Sequence, residues 1–156
     1  MIKLNAPLTT AMITNYGLAQ MMNLGSIKVF SGPQPDTADH AEQGTLLAQI
    51  TQDGHPFVPG EADGGLQLAL GPVHGTLQMQ GAWVLKAVAD GVPGWWRWVW
   101  NDPDPGTAGA VVCRIDGAVG EGLHLPADAM LGLTAGYEAP VAMFQLYLPP
   151  FLTLAT

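Results

Sequence analysis

The sequence predicts a mainly β fold, an antiparallel β-sandwich with one N-terminal helix. Three observations carry this reading. Apolar and polar residues alternate in a series of short runs. Clusters of Gly and Pro separate those runs. Only the first 25 residues show a helical period.

The helix is expected from about Thr9 to Asn23. Thr9 or Thr10 would cap its start and Gly25 would supply a left-handed stop. Met12, Tyr16 and Ala19 lie on one stripe, with Ala11, Leu18 and Met22 on another. A helix apolar on two stripes is wedged between surfaces rather than lying on one. Gly17 in its middle costs about 1 kcal/mol.

From Ser26 onward the period is two. Ile27 and Val29 alternate with Lys28 and Phe30; Leu46, Ala48 and Ile50 with Leu47 and Gln49; Leu66, Leu68 and Leu70 with Gln67 and Ala69. Leu77 and Met79 then alternate with Gln78 and Gln80, Trp83, Leu85 and Ala87 with Val84, Lys86 and Val88, and Ala142 to Leu148 closes the series. Gly117-Ala118-Val119-Gly120 reads as a turn. Twenty Gly and 13 Pro among 156 residues suit so many turns. The expected organisation is an arm and helix over residues 1–25 and a sandwich of seven to nine strands over 26–156, one domain in all.

Composition narrows the function classes. Hydrophobic residues make up 48% and charged residues only 12%, about half the usual share. Disordered chains have the opposite bias, and no apolar run reaches the ~18 residues of a membrane-spanning helix. A surface so short of charge is expected where partners cover it, including further copies of the same chain. The net charge is −8, and the five cations, Lys3, Lys28, Lys86, Arg97 and Arg114, are scattered. Phosphate backbones and anionic membranes are therefore not expected partners. Cys113 is the only cysteine, which excludes an internal disulfide; its apolar neighbours suggest a buried, inert thiol. No basic-then-apolar leader opens the chain, so a cytoplasmic location is expected.

The tract Trp95-Trp96-Arg97-Trp98-Val99-Trp100 is the most informative stretch. On a strand, Trp96, Trp98 and Trp100 face one way and Trp95, Arg97 and Val99 the other. Three readings compete: a central strand covered on both faces, a protein interface anchored by Trp and Arg, or a sugar-stacking platform. The second would make Phe30, Trp95, Arg97 and Val99 interface residues. In every case Arg97 must reach a carboxylate or the domain rim, because a buried unpaired guanidinium is too costly.

Catalytic chemistry finds little purchase. His40, His55, His74 and His124 show no metal-ligand spacing. Asp36, Asp39, His40 and Glu42 share a loop that suits either a hard cation or solvated turn residues. Asp102 and Asp104 lie in a Pro-rich turn without the burial that would tune a general acid. No nucleophile elbow, phosphate loop or dinucleotide fingerprint is present. The expectation is a non-enzyme with no catalytic residues, metal or cofactor.

The segment Ser26-Ile27-Lys28-Val29-Phe30-Ser31-Gly32-Pro33-Gln34-Pro35-Asp36-Thr37-Ala38-Asp39, followed by Gly44-Thr45-Leu46-Leu47-Ala48, resembles small structural proteins of tailed bacteriophages. In that group an S-G-x-x-P-x-x-A-D-like turn runs into G-T-L-L-A. Leu8-Thr9-Thr10-Ala11, the tract from Trp96 to Val99, the turn at Asp102 to Gly106, the strand expected on this resemblance over Val111 to Ile115 with Asp116-Gly117-Ala118-Val119-Gly120 after it, and the final strand match in layout. The Trp density and the Gly54 to Gly65 loop depart from the pattern. The resemblance implies a virion component without a catalytic site, a head decoration or collar protein, or else a tail or tail-tip component. Its expected partners are other virion subunits (capsid, portal or collar, tail), and its expected place is the particle, assembled in the host cytoplasm. A carbohydrate-binding module using Trp95 to Trp100 is the alternative from another class.

Overall fold

The computed structural model describes residues 1–14 and 16–148. Two antiparallel sheets pack face to face. The larger has the order β1-β8-β7-β2-β3-β6-β10 and the smaller β4-β5-β11-β9. In the larger sheet the strands are β1 (Lys3–Leu4), β2 (Ser26–Ser31), β3 (Leu46–Gln52), β6 (Trp83–Ala87), β7 (Pro93–Val99), β8 (Arg114–Ala118) and β10 (Glu138–Pro140). The smaller contains β4 (Gln67–Leu70), β5 (Thr76–Gln80), β9 (Leu123–His124) and β11 (Met143–Tyr147). The mainly β sandwich expected from the sequence is the observed fold. Its count is higher than expected because β1, β9 and β10 are too short to show a period.

Alternation places the core. Register pairs Ile27 with Trp98 and Ile50, Val29 with Trp96 and Ala48, and Trp98 with Ile115, so these side chains share the inner face of the larger sheet. Leu68, Phe144 and Leu146 come from the smaller sheet, and all of them are buried. Phe144 is the meeting point. Its ring lies 5.0 Å from Trp83, 5.5 Å from Trp96 and 5.2 Å from Trp98.

The single helix expected from Thr9 to Asn23 is two: α1 (Ala6–Thr14) and α2 (Leu18–Met22). Gly17 is extended, φ −75° and ψ 155°, and precedes the first turn of α2. The break lets Leu8 on α1 and Leu18 and Met22 on α2 all enter the core. Capping also lies elsewhere. Asn5 Oδ1 accepts the Leu8 N–H, so Asn5 takes the role expected of Thr9 or Thr10. Leu24, not Gly25, takes the left-handed conformation, at φ 66°. Gly25 serves close approach instead, since a Cβ there would strike the Val99 carbonyl and the Trp98 indole. A third helix, α3 (Ala127–Leu131), gave no periodic signal.

Two further boundaries move. Val111 is exposed and lies outside β8, which runs through Gly117 and Ala118 where a turn was expected. The N-terminal arm also joins the larger sheet, because Lys3 and Leu4 pair with Asp116 and Ile115 at its edge.

The Gly54 to Gly65 loop is pinned at its root by an exposed pair, His55 Nδ1 with Asp63 Oδ1 at 2.8 Å. The hydrogen bond and charge of Asp63 raise the His55 pKa above the ordinary histidine value. A raised value means the contact is complete below ~6.5, the unfolded pKa, and is lost as pH rises through the folded one. A proton NMR titration is expected to place the His55 midpoint above that of a free imidazole, with Asp63→Asn returning it. Equal midpoints in both proteins would show that the pair does not form in solution.

Candidate protein interface

β7 is an interior strand between β2 and β8, and its outward face is covered by the chain itself. Phe30 stacks on Trp95 with ring centroids 4.5 Å apart, and the Arg97 guanidinium lies over the same indole. Arg97 reaches Asp116 on β8 through two hydrogen bonds of 2.8 Å, both side chains fully buried. Its Nη2 also donates to the carbonyls of Ala38 and His40. Arg114 repeats the arrangement with Asp104, and its Nη1 donates to the same His40 carbonyl.

The cover is the loop between β2 and β3, the segment that carries the phage-protein resemblance. Its neck is closed by Ser31 N–H to the Thr45 carbonyl and by Thr45 N–H to Ser31 Oγ. Gly44 sits in that neck at φ 81°, where a Cβ would strike the Ser31 carbonyl. Ala38 is fully buried, and Gln43 accepts the Trp95 indole N–H. The Asp39 carboxylate accepts the Ala6 N–H at the start of α1, and Glu42 pairs with Lys28 at 2.7 Å. The motif residues thus build a lid.

These positions revise several expectations. Phe30, Trp95 and Arg97 lie beneath the lid, and Val99 is buried beside Phe57, Pro59 and the turn at Asp102, so none of the four is on a surface that a partner reaches. Trp83, Trp95, Trp96 and Trp98 are all buried and Trp100 is half-buried beyond the end of β7, so no indole platform is open to a sugar. Asp39 and Glu42 diverge to separate partners, so the loop is no cation cage. Among the described residues no group of three or more His, Cys, Asp or Glu is placed to hold a metal. Asp104 is no solvated turn residue. Burial pushes its carboxyl up, but the Arg114 hydrogen bonds and the Gly106 N–H pull it further down, to below its ordinary value. Burial raises the Cys113 thiol and keeps it protonated.

The opposite side of the molecule has a different character. Residues 4–27, 64–85 and 139–156 contain no Asp, Glu, Lys or Arg. Besides short parts of the larger sheet, they contain α1, α2, β4, β5 and β11; β4, β5 and β11 are neighbours in the smaller sheet, and Leu18 and Ala19 of α2 lie beside Leu70 and Leu77. The outward positions of the smaller sheet are Gln67 opposite Gln80, Ala69 opposite Gln78, Gln78 opposite Gln145, and Thr76 opposite Tyr147. Segment 23–25 binds this sheet's edge through Asn23 Oδ1 to the Leu68 N–H and through Gly25 to Leu66. An apolar cavity of about 360 Å³ opens beside it, between β1, α2 and β11. Leu70, Tyr147 and Leu148 are exposed around the same layer. Such a face offers amide donors and acceptors and apolar area without charge, the composition of an interface core. The sequence signal was the position of the charges along the chain, whereas their overall scarcity hid it.

No family model matches the chain, no curated protein matches it, and no solved structure matches it.

Proposed function

We propose that this chain is a structural subunit of a tailed-bacteriophage particle, a head decoration or collar protein, with a tail or tail-tip component as the second position. The observation that carries the reading is the charge-free layer. An exposed sheet face with amides and apolar groups but no ion suits packing against other protein subunits. The segment that resembles phage proteins supports it as well. Its residues act as a lid on the Arg97–Asp116 pair, a role within the fold that involves no reactive group. Across many copies on a symmetric particle, modest contacts add through multivalency.

The test is fractionation of a lysate from a culture producing the phage that encodes the chain. An antibody to the purified protein is expected to find it co-banding with DNA-filled particles in a density gradient, at many copies per particle. Its recovery only in the free protein fraction would overturn the proposal.

A further inference from the structure

We infer that the charge-free layer, with the smaller sheet at its centre, is the surface through which copies of this chain bind one another. The inference takes from the proposed function only that this layer is an interface, and adds the partner.

The argument is electrostatic. The chain carries −8, so two copies repel wherever acidic surfaces meet. A foreign partner could answer an acidic patch with Lys and Arg of its own. A second copy has almost none to offer, because four of its five side-chain cations are hydrogen-bonded internally and the fifth, half-exposed Lys86, already lies beside Glu138. Lys3 donates to the Pro35 carbonyl at 2.6 Å, Lys28 holds Glu42, and Lys86 lies 3.7 Å from Glu138. Arg97 and Arg114 are buried against Asp116 and Asp104. In a two-fold contact each patch meets itself, and any charge near the axis meets its own kind. Self-association of so acidic a chain is therefore favoured on a face with no charge, whereas a foreign partner carries no such preference.

The layer satisfies that condition over three separate stretches of sequence. Gln67, Gln78, Gln80, Met143, Gln145 and Tyr147 make its outward sheet face, and a glutamine amide bonds to another copy's glutamine without regard to sign. There is room as well. A standard contact takes ~800 Å² from each partner, about a tenth of the 7963 Å² this chain exposes, and Gln67, Leu70, Gln80, Met143, Tyr147 and Leu148 of this layer are all exposed.

Sedimentation velocity of the full chain, at ~50 mM and ~500 mM NaCl, reads the inference directly. Association is expected and should strengthen with salt, because salt screens the mutual repulsion and breaks no ion pair; contacts held by ion pairs would weaken. Gln78→Glu, isosteric and central in the face, is expected to weaken association by about tenfold or more. Val88→Glu makes the same change in net charge at an exposed site between two charged residues of the other layer, Lys86 and Asp90. It is expected to leave association within about twofold of the parent, since exposed charges far from a contact are screened. Near-UV circular dichroism confirms that both variants fold. A chain monomeric at both salts, or variants equal in effect, would overturn the inference. Such a chain co-banding with particles would leave the proposed function standing. Association through Gln78 in a chain absent from particles would do the reverse.

Discussion

Trp98→Ala is expected to cost about 3–5 kcal/mol, the range for emptying a large aromatic from a closed core. In a chain of this length that lowers the melting temperature by roughly 6–20 °C. Trp98 has no exposed surface and sits on an interior strand. It stands edge-on to Trp83 at 5.2 Å and to Phe144 at 5.2 Å, so it touches both sheets. Among the described residues its indole N–H has no hydrogen-bond partner, so the loss is a packing loss. Trp96 differs, because its N–H donates to the Ala118 and Glu121 carbonyls and a truncation there mixes two effects. The exposed Val111→Ala serves as the control and should stay within about 0.5 kcal/mol. A Trp98→Ala protein that melts within a degree or two of the parent would mean that the sheets do not meet at Phe144.

The period-two runs located β2 to β6 and β11 within a few residues, because one face of each of these strands enters the core between the sheets. The Trp tract was legible for the same reason. What stayed hidden depends on contacts between distant segments. Arg97 could be expected to need a carboxylate, but Asp116 is identified only by the β7–β8 register. Asp39 reads as a turn residue until α1 arrives to be capped by it. Glycines misled most. Gly25 looked like a helix stop, whereas the chain uses it for backbone passage against Trp98. Gly117 looked like a turn and lies within β8. A glycine chosen for lack of space and one chosen for conformation look alike in sequence.

Asp116→Ala is expected to cost about 3–5 kcal/mol, because it strands a fully buried guanidinium. The pair itself is not a strong stabiliser. Burial pushes the Asp116 carboxyl above its ordinary value despite Arg97, Arg114 and Lys3. A carboxyl raised in the folded state holds its proton more tightly there, so its ionisation subtracts stability as pH rises through that value. Asp104 has the opposite sign. Its lowered value means that its contribution is present above ~3.9, the unfolded pKa, and is lost as pH falls through the folded one. The cost at Asp116 therefore comes from leaving Arg97 alone, and removing both partners should be milder than removing one. Arg97→Met combined with Asp116→Ala is expected to melt above Asp116→Ala alone. Full recovery is not expected, since the carbonyls of Ala38 and His40 lose a donor. Hydrogen exchange locates the effect. The single variant should lose protection at Glu42 and Gly109, whose N–H groups bind Gly106 and Asp39 and tie the lid down. If Asp116→Ala keeps both its melting temperature and that protection, the lid is held instead by the Phe30–Trp95 stack and the Lys28–Glu42 pair.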